Sequence, residues 1–389
     1  MSNSQEYIRP NWKTYKLGVI CNYVTSRTTS IENYISTENM LPNKGGVCAP
    51  SNVPNGTAIE YKVGDILISN IRPYFQKIWQ ADCNGACSAD VLCIRANDKA
   101  DSKFLYYLLS QQVFFDYVMS GAKGCKMPRG DKKQIMQWEI SLPGLEEQRR
   151  IAGILGAIDD KIECNRRINT NLESQAQALY KQWFVDNRRD DWEVGAVSDY
   201  YDITIGKTPP RKEKQWFSIN SKDSVWVSIS DMGSCGAYIS NSSEYLTAEA
   251  VDQFNIKVVP PNTVLLSFKL TVGRVAISDG VMTTNEAIAH FNTSNEDITE
   301  YTYLALKAYN FANLGSTSSI ATAVNSKIIK AMPWVMPSRE ILREFHTLVN
   351  PIFTQIKNNI KENKSLSTLR DTLLPKLMNG EIKIGEYDI

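Results

Sequence analysis

At 389 residues, with 43% apolar and 22% charged side chains, the chain is too long for one ordinary core and too apolar to be disordered, so two or more domains are expected. No apolar run reaches the length needed to span a bilayer, and residues 1–12 lack the apolar core of a signal peptide, which points to a cytoplasmic protein with no membrane partner. A formal net charge of +1 argues against a uniformly basic nucleic-acid binder, so any contact with DNA must come from local clusters.

Taken in chain order, residues 12–20 (WKTYKLGVI) set an aromatic ahead of a short strand-like stretch. Asn43, Lys44, Gly45 and Gly46 form a loop turn rather than a phosphate-binding fingerprint, because no strand leads into them. At residues 64–69 (GDILIS) a glycine turn enters a buried strand of aliphatic residues that ends in serine. Arg72, Pro73 and Tyr74 follow that strand directly. Cys83, Cys87 and Cys93 are the only cluster among eight cysteines. A zinc site would need a fourth ligand from a second knuckle, and the only histidines, His290 and His346, lie far off. The cysteines therefore belong to a core or loop as reduced thiols, and no metal is expected. Residues 123–133 then set Lys123, Lys126, Arg129, Lys132 and Lys133 against the single acid Asp131. Taken alone, such a run is as readily a solvated surface as a binding site.

The chain then repeats itself, and repetition is the strongest signal it carries. Residues 192–200 (WEVGAVSDY) overlay residues 12–20, residues 262–267 (NTVLLS) overlay residues 64–69, and residues 334–337 (WVMP) overlay residues 138–143 (WEISLP). A second basic run, Lys207, Arg211, Lys212 and Lys214 against Glu213, occupies a proline-containing loop. Each half runs on into a helical pattern of over thirty residues, about 50 Å long, which is more than a compact domain requires. In the first helix the apolar steps alternate four and three through Ile151, Leu155, Ile158, Ile162, Leu172, Ala176, Leu179 and Trp183, with Asn165 and Asn169 in mid-seam. Each of these positions has a counterpart 194 residues later, from Phe345 through Val349, Ile352, Ile356, Asn359, Asn363, Leu366, Arg370 and Leu373 to Leu377. Pro375 should kink or fray the last turn of the second helix.

Buried amides are costly unless they meet one another. An antiparallel helix pair satisfies them with Asn165 opposite Asn363 and Asn169 opposite Asn359. Ile162 then faces Leu366, Leu172 faces Ile356, Ala176 faces Ile352, Leu179 faces Val349 and Trp183 faces Phe345, while Ile158 meets the stem of Arg370. The expected fold class is α+β: two repeated globular domains separated by two long helices in an antiparallel coiled coil, with pseudo-two-fold symmetry. The expected boundaries are 1–143 and 188–337 for the domains, 144–187 and 338–378 for the helices, and 379–389 for a tail.

Several motifs carry a family resemblance. Residues 142–151 (LPGLEEQRRI), followed by Asp159, Asp160, Lys161, Ile162 and Asn165, resemble the central spacer helix of type I restriction-modification specificity subunits. Residues 64–67 (GDIL), 127–131 (MPRGD) and 374–382 (LPKLMNGEI) are similar to further parts of that family, so the resemblance covers nearly the whole chain. The second copy departs at the helix entrance, where residues 337–343 read PSREILR, and a partner contact through Gln148 would lack its equivalent there. The resemblance implies two target recognition domains, each reading half of a bipartite, asymmetric site on double-stranded DNA, with the helices fixing the unread spacer. It further implies two modification subunits that carry S-adenosylmethionine, and restriction subunits that carry ATP, Mg and the motor and nuclease activities. This chain itself would be non-catalytic and hold no cofactor. Neither a GxxxxGK[ST] phosphate loop nor the Asn-Pro-Pro-Tyr or Asp-Pro-Pro-Tyr string of adenine methyltransferases is present.

Reading DNA divides labour between phosphate contacts, which give register, and base-edge contacts, which give specificity. Lys123, Lys126, Lys132 and Lys133 are the expected phosphate contacts of the first domain, and Arg72, Tyr74 and Arg129 enter the groove. The second domain offers Lys207, Thr208, residues 269–274 with Lys269 and Arg274, and residues 316–327 ending in Lys327. Two other classes stay open: an enzyme whose nuclease or methyltransferase centre lies outside these motifs, and a coiled-coil scaffold that does not bind DNA.

Overall fold

The computed structural model describes residues 12–50, 52–311, 314, 324–382 and 384. They fall into two compact units, Met1–Ile162 with Lys364–Ile389, and Glu163–Asn363. The first long helix, Leu145–Tyr180, and the second, Arg339–Met378, each contribute to both units.

The first unit closes on its own ends: Lys13–Lys16 pairs antiparallel with Glu139–Leu142, Lys13 opposite Leu142. Between them lies an antiparallel sheet in the order Cys21–Tyr23, Val91–Ala96, Ile66–Ser69, Ile78–Gln80. Every residue of Ile66–Ser69 is buried, as expected for a central strand of aliphatic residues. The turn before it needs Gly64, whose φ of +88° most side chains avoid. Asp65 then locks the strand entrance, accepting the Lys62 amide at 2.8 Å and Nε and Nη2 of Arg95 at 2.7 Å each. Helices Ser102–Leu109 and Gln112–Ser120 pack into the same core as this sheet, which also takes in Ile151, Ala152 and Leu155 of the first long helix and Leu374, Leu377 and Met378 of the second. Cys87 and Cys93 are buried in a smaller core beside Met40, Tyr61 and Leu67, with Cys83 half-buried.

The second unit repeats the device. Glu193–Ala196 pairs antiparallel with Pro333–Met336, around a five-stranded sheet ordered Asp202–Ile205, Ile288–Asn292, Val264–Ser267, Val275–Ser278, Tyr238–Ile239. Only the edge strand Tyr238–Ile239 runs parallel to its neighbour. Helix Thr299–Ala308 covers the sheet, and Phe345, Val349, Phe353 and Ile356 complete the core from the second long helix.

Within this unit the two long helices run antiparallel. The Asn165 side-chain amide donates to Asn363 Oδ1 at 2.9 Å and to Glu362 at 2.6 Å, and Asn359 donates to Asn169 Oδ1 at 2.8 Å. Leu172, Ala176, Leu179, Val349, Ile352 and Ile356 share one apolar cluster, and the rings of Trp183 and Phe345 lie 5.7 Å apart. Asn165 and Asn359, buried in an apolar seam and each paired with a half-buried amide, fix its register, because a slip would leave them facing hydrocarbon. In the first unit Arg370 does more than lay its stem in the seam. It ion-pairs Asp159 at 2.7 Å, and the same carboxylate accepts the Tyr107 hydroxyl at 2.7 Å.

Two expectations need correction. The second helix does not fray at Pro375: it continues to Met378, and the Asn379 amide still bonds the Pro375 carbonyl at 3.0 Å. Leu377 and Met378, buried in the core of the first unit, hold the turn that proline weakens. Gln148, considered above as a partner contact, is 1% exposed and consumed by its own domain. Its carboxamide accepts from the Asp101 amide at 2.9 Å and donates to the carbonyls of Lys99 and Pro143 at 3.2 and 3.0 Å. The counterpart in the second copy is a buried apolar residue, Leu342.

Strand Ile288–Asn292 carries a titratable group where none is expected. His290 is fully buried, its Nδ1 and Nε2 sharing hydrogen bonds with the hydroxyls of Thr204 at 2.8 Å and Thr284 at 2.7 Å. Burial pushes its pKa down from 6.5 to about 4, because the imidazolium would lose its hydration without gaining a carboxylate. The unfolded chain therefore takes the proton first. Stability from the neutral ring is complete above about pH 6.5 and falls as the pH drops towards 4, by up to about 3 kcal/mol. His290→Gln should abolish this part of the acid dependence. Unfolding midpoints at pH 7 and pH 4.5 for both proteins check this, and an equal acid slope in the variant would show that the ring is not its source.

Candidate nucleic-acid interface

In the first unit the buried strand Ile66–Ser69 delivers a loop to the surface. The Ser69 amide donates to the Lys77 carbonyl at 3.0 Å, closing the loop, and the Asn70 amide donates to Asp90 at 2.9 Å. At the tip Arg72 has a left-handed φ of +50°, which costs a residue other than glycine roughly 1–2 kcal/mol. Surrounding contacts enforce it: the Arg72 amide bonds the Pro128 carbonyl at 2.8 Å, and the Arg72 carbonyl accepts the Phe75 amide at 3.0 Å. Tyr74 and Phe75 are exposed, with ring centroids 4.7 Å apart.

The basic run is stitched to this loop. Ile71 bridges Arg129, and Lys123 and Arg129 exchange both backbone hydrogen bonds, at 3.0 and 2.9 Å. The hairpin so formed turns at Gly124, φ +100°. Gly130 lies so close to the helix that a Cβ would come within 2.7 Å of Val118. Asp131 caps the short helix Lys132–Ile135, accepting the amides of Lys133 and Gln134 at 2.9 and 3.2 Å. The Lys123 ammonium, 3.1 Å away, is the first cause holding the Asp131 carboxyl below its usual range. Arg129 lies 3.2 Å from Asp90. Both pairs are solvent-exposed, and such pairs exchange readily for another anion. Lys126, Lys132 and Lys133 are exposed. The structure thus brings Arg72, Tyr74, Lys123 and Arg129 together on one stitched surface, with Lys126, Lys132 and Lys133 exposed in the same run. Sequence reasoning missed exposed Phe75 and Met127, which give this surface an apolar component.

In the second unit the strand Val264–Ser267 delivers the equivalent loop. The Ser267 amide donates to the Arg274 carbonyl at 2.9 Å, and the Phe268 amide donates to Ala287 at 2.9 Å. The tip residue is Leu270, with a left-handed φ of +60° and 98% of its surface exposed. Lys269 lies beside it, its ammonium 5.5 Å from the Phe268 ring centroid. Arg274 is committed elsewhere: it donates to the Ile229 carbonyl at 2.6 Å and packs against Gly233, where a Cβ would come within 2.4 Å of its guanidinium. Thr208 hydrogen-bonds Glu286, beside the Ala287 that holds Phe268. The Lys207 ammonium is taken by the Phe254 carbonyl at 2.6 Å. Gly206 admits no side chain, because a Cβ would lie 2.1 Å from Thr284 Oγ1. Arg211 of the same basic run braces the domain, its guanidinium carbon 4.5 Å from the ring centroids of both Phe217 and Trp226, which meet edge to face, and paired with Glu244 at 2.7 Å. Lys327 is exposed on the short helix Ser326–Lys330, and no hydrogen bond among the described residues ties its side chain to the loop. Residues 316–323 of that stretch lie outside the described residues.

Among the described residues no group of three or more His, Cys, Asp or Glu side chains is placed to hold a metal, and no helix is long and apolar enough to cross a membrane. The surface offers exposed cations that suit an anionic partner and, at the tip of each loop, one exposed side chain three residues beyond a buried strand.

Comparison with known proteins agrees with this duplication. The family described as type I restriction modification DNA specificity domain matches residues 10–174 and again residues 189–363. The chain is 26% identical to the type I restriction enzyme HindI specificity subunit of Haemophilus influenzae, over 96% of this chain and 100% of that one. It is 28% identical to the MjaIX specificity subunit of Methanocaldococcus jannaschii, over 74% of this chain and 71% of that one. The crystal structure of a type I restriction-modification S subunit from M. genitalium shares its fold, with a TM-score of 0.51 and 17% identity over 96% of this chain and 97% of that one. The chain belongs to the type I restriction-modification DNA specificity family, and carries two specificity domains in tandem.

Proposed function

We propose that this protein is the sequence-reading subunit of a type I restriction-modification complex, in which each unit reads one half of a bipartite, asymmetric duplex site. The observation that carries this reading is the repeated loop. In both units a buried strand ends in serine, the serine amide closes the loop, and the third residue beyond it is forced into a left-handed tip, Arg72 in one and Leu270 in the other. Fixed tips project base-reading side chains at little further entropy cost on binding. Lys123, Lys126, Lys132 and Lys133 would supply phosphate contacts, which set register without reading sequence.

The chain is non-catalytic in this reading. S-adenosylmethionine sits on two modification subunits, and ATP and Mg on restriction subunits that supply the motor and nuclease. The two long helices serve as the spacer between half-sites.

Binding of the assembled modification complex to duplex DNA lacking its site tests this. Affinity should fall linearly on a log-log plot against salt, with a slope of about −0.9 per phosphate neutralised. Replacing Lys123, Lys126, Lys132 and Lys133 by alanine should flatten the slope by roughly 2 to 4 and leave the methylated sequence unchanged. Salt-independent or absent binding would favour a scaffold. Methyl transfer by this chain alone would make it an enzyme.

A further inference from the structure

The two loop tips are equivalent in the backbone and opposite in chemistry. Ser69 and Ser267 each end the central buried strand, and each donates its amide across the loop, to Lys77 at 3.0 Å and to Arg274 at 2.9 Å. The following residue in each, Asn70 or Phe268, donates its amide to the residue just before a strand paired alongside, Asp90 before Val91–Ala96 or Ala287 before Ile288–Asn292, both at 2.9 Å. Two residues further on stand Arg72, φ +50°, and Leu270, φ +60°. A leucine that is 98% exposed in a left-handed conformation does nothing for its own fold: burial gives it no stability, and glycine or asparagine would suit the backbone better. A residue kept at such a position against its local preference marks a contact with something outside the chain.

We propose that this tip position is the specificity-determining residue of each unit, with Leu270 reading the C5 methyl group of a thymine in the major groove and Arg72 reading a guanine. The assignment rests on the DNA-reading function proposed above. Leucine offers neither donor nor acceptor, so of the groups that base pairs display in the major groove, only the thymine methyl rewards it. Arginine offers a planar pair of donors that matches O6 and N7 of guanine. The groove, about 12 Å wide, admits a tight loop. Lys269, exposed beside Leu270, would hold the neighbouring phosphate and keep the leucine in place.

The test uses the whole modification complex, with the methylated sequence mapped for wild type, Leu270→Arg, Leu270→Ala and Arg72→Leu. Leu270→Arg should exchange a required T·A pair for G·C at one position of one half-site and leave the other half-site intact. Arg72→Leu should alter one position of the other half-site. Replacing thymines by uracil, one at a time, removes only the methyl group. At one position this should weaken wild-type binding about tenfold and leave Leu270→Ala unaffected. Leu270 is solvent-exposed, so the unfolding midpoints of its variants should match wild type.

A half-site without any A·T pair, or unchanged half-sites in both tip variants together with uracil insensitivity, would overturn the assignment. If the wild-type complex methylated no discrete bipartite site, the DNA-reading function itself would fall instead.

Discussion

Removing residues 364–389 is expected to unfold the first unit, although that unit begins at the other end of the sequence. Leu374, Leu377 and Met378 are buried in the same core as Ile20, Phe104 and Ile140. Gly380, φ +75°, lies against the Trp12 ring, which a Cβ there would approach to 3.4 Å. Truncating one such leucine or methionine costs about 2–5 kcal/mol. Losing three at once approaches the roughly 5–15 kcal/mol that holds a typical domain together. Hydrogen exchange should show lost protection across residues 12–142, with protection kept in the strands between Asp202 and Asn292, whose own helix segments remain. Leu377→Ala alone, at about 2–5 kcal/mol, should lower the midpoint of the first unit by about 4–20 °C, at 2–4 °C per kcal/mol. Undiminished protection in the truncated protein would show that the tail only decorates this core.

An equally large effect, on specificity rather than stability, should follow from replacing residues 1–143 by the equivalent part of a relative. One half of the methylated site should change completely and the other should stay as it was. Both units close on themselves, through the strand pairs Lys13–Lys16 with Glu139–Leu142 and Glu193–Ala196 with Pro333–Met336, so an exchange at these joints cuts no sheet. The graft must still fill the space around Ile151, Leu155, Leu374 and Leu377, because overpacking costs about 1–3 kcal/mol. Mapping methylated adenines in cells that carry the hybrid gives the answer. Simultaneous change or loss of both halves would refute independent reading.

Much of this architecture is legible in local pattern. Short aliphatic runs after a turn mark residues 64–69 and 262–267 as strands, the heptad marks both long helices, and asparagines sharing one register mark where an antiparallel pair should meet. The repeat places matching motifs at the start and end of each half, and the structure shows that these are the segments that pair. The strand and helix patterns depend on neighbours a few residues away, and such neighbours are written in the sequence.

What a side chain does with its polar end depends on which backbone folds beside it, and only the tertiary structure decides that. Arg211 and Arg274 look like free cations in the sequence, yet one packs against two aromatic rings and pairs with Glu244, and the other satisfies the Ile229 carbonyl. Gln148 could equally have faced a partner, until three backbone groups of its own domain claim it. Pro375 should weaken the last turn of its helix on local grounds, yet the helix runs on to Met378, where Leu377 and Met378 are buried. The left-handed tips at Arg72 and Leu270 had no local signal at all, because neither residue favours that conformation. The folded loop around each tip holds it: the Arg72 amide bonds the distant Pro128 carbonyl, and Ser267 closes the second loop on Gly273 and Arg274.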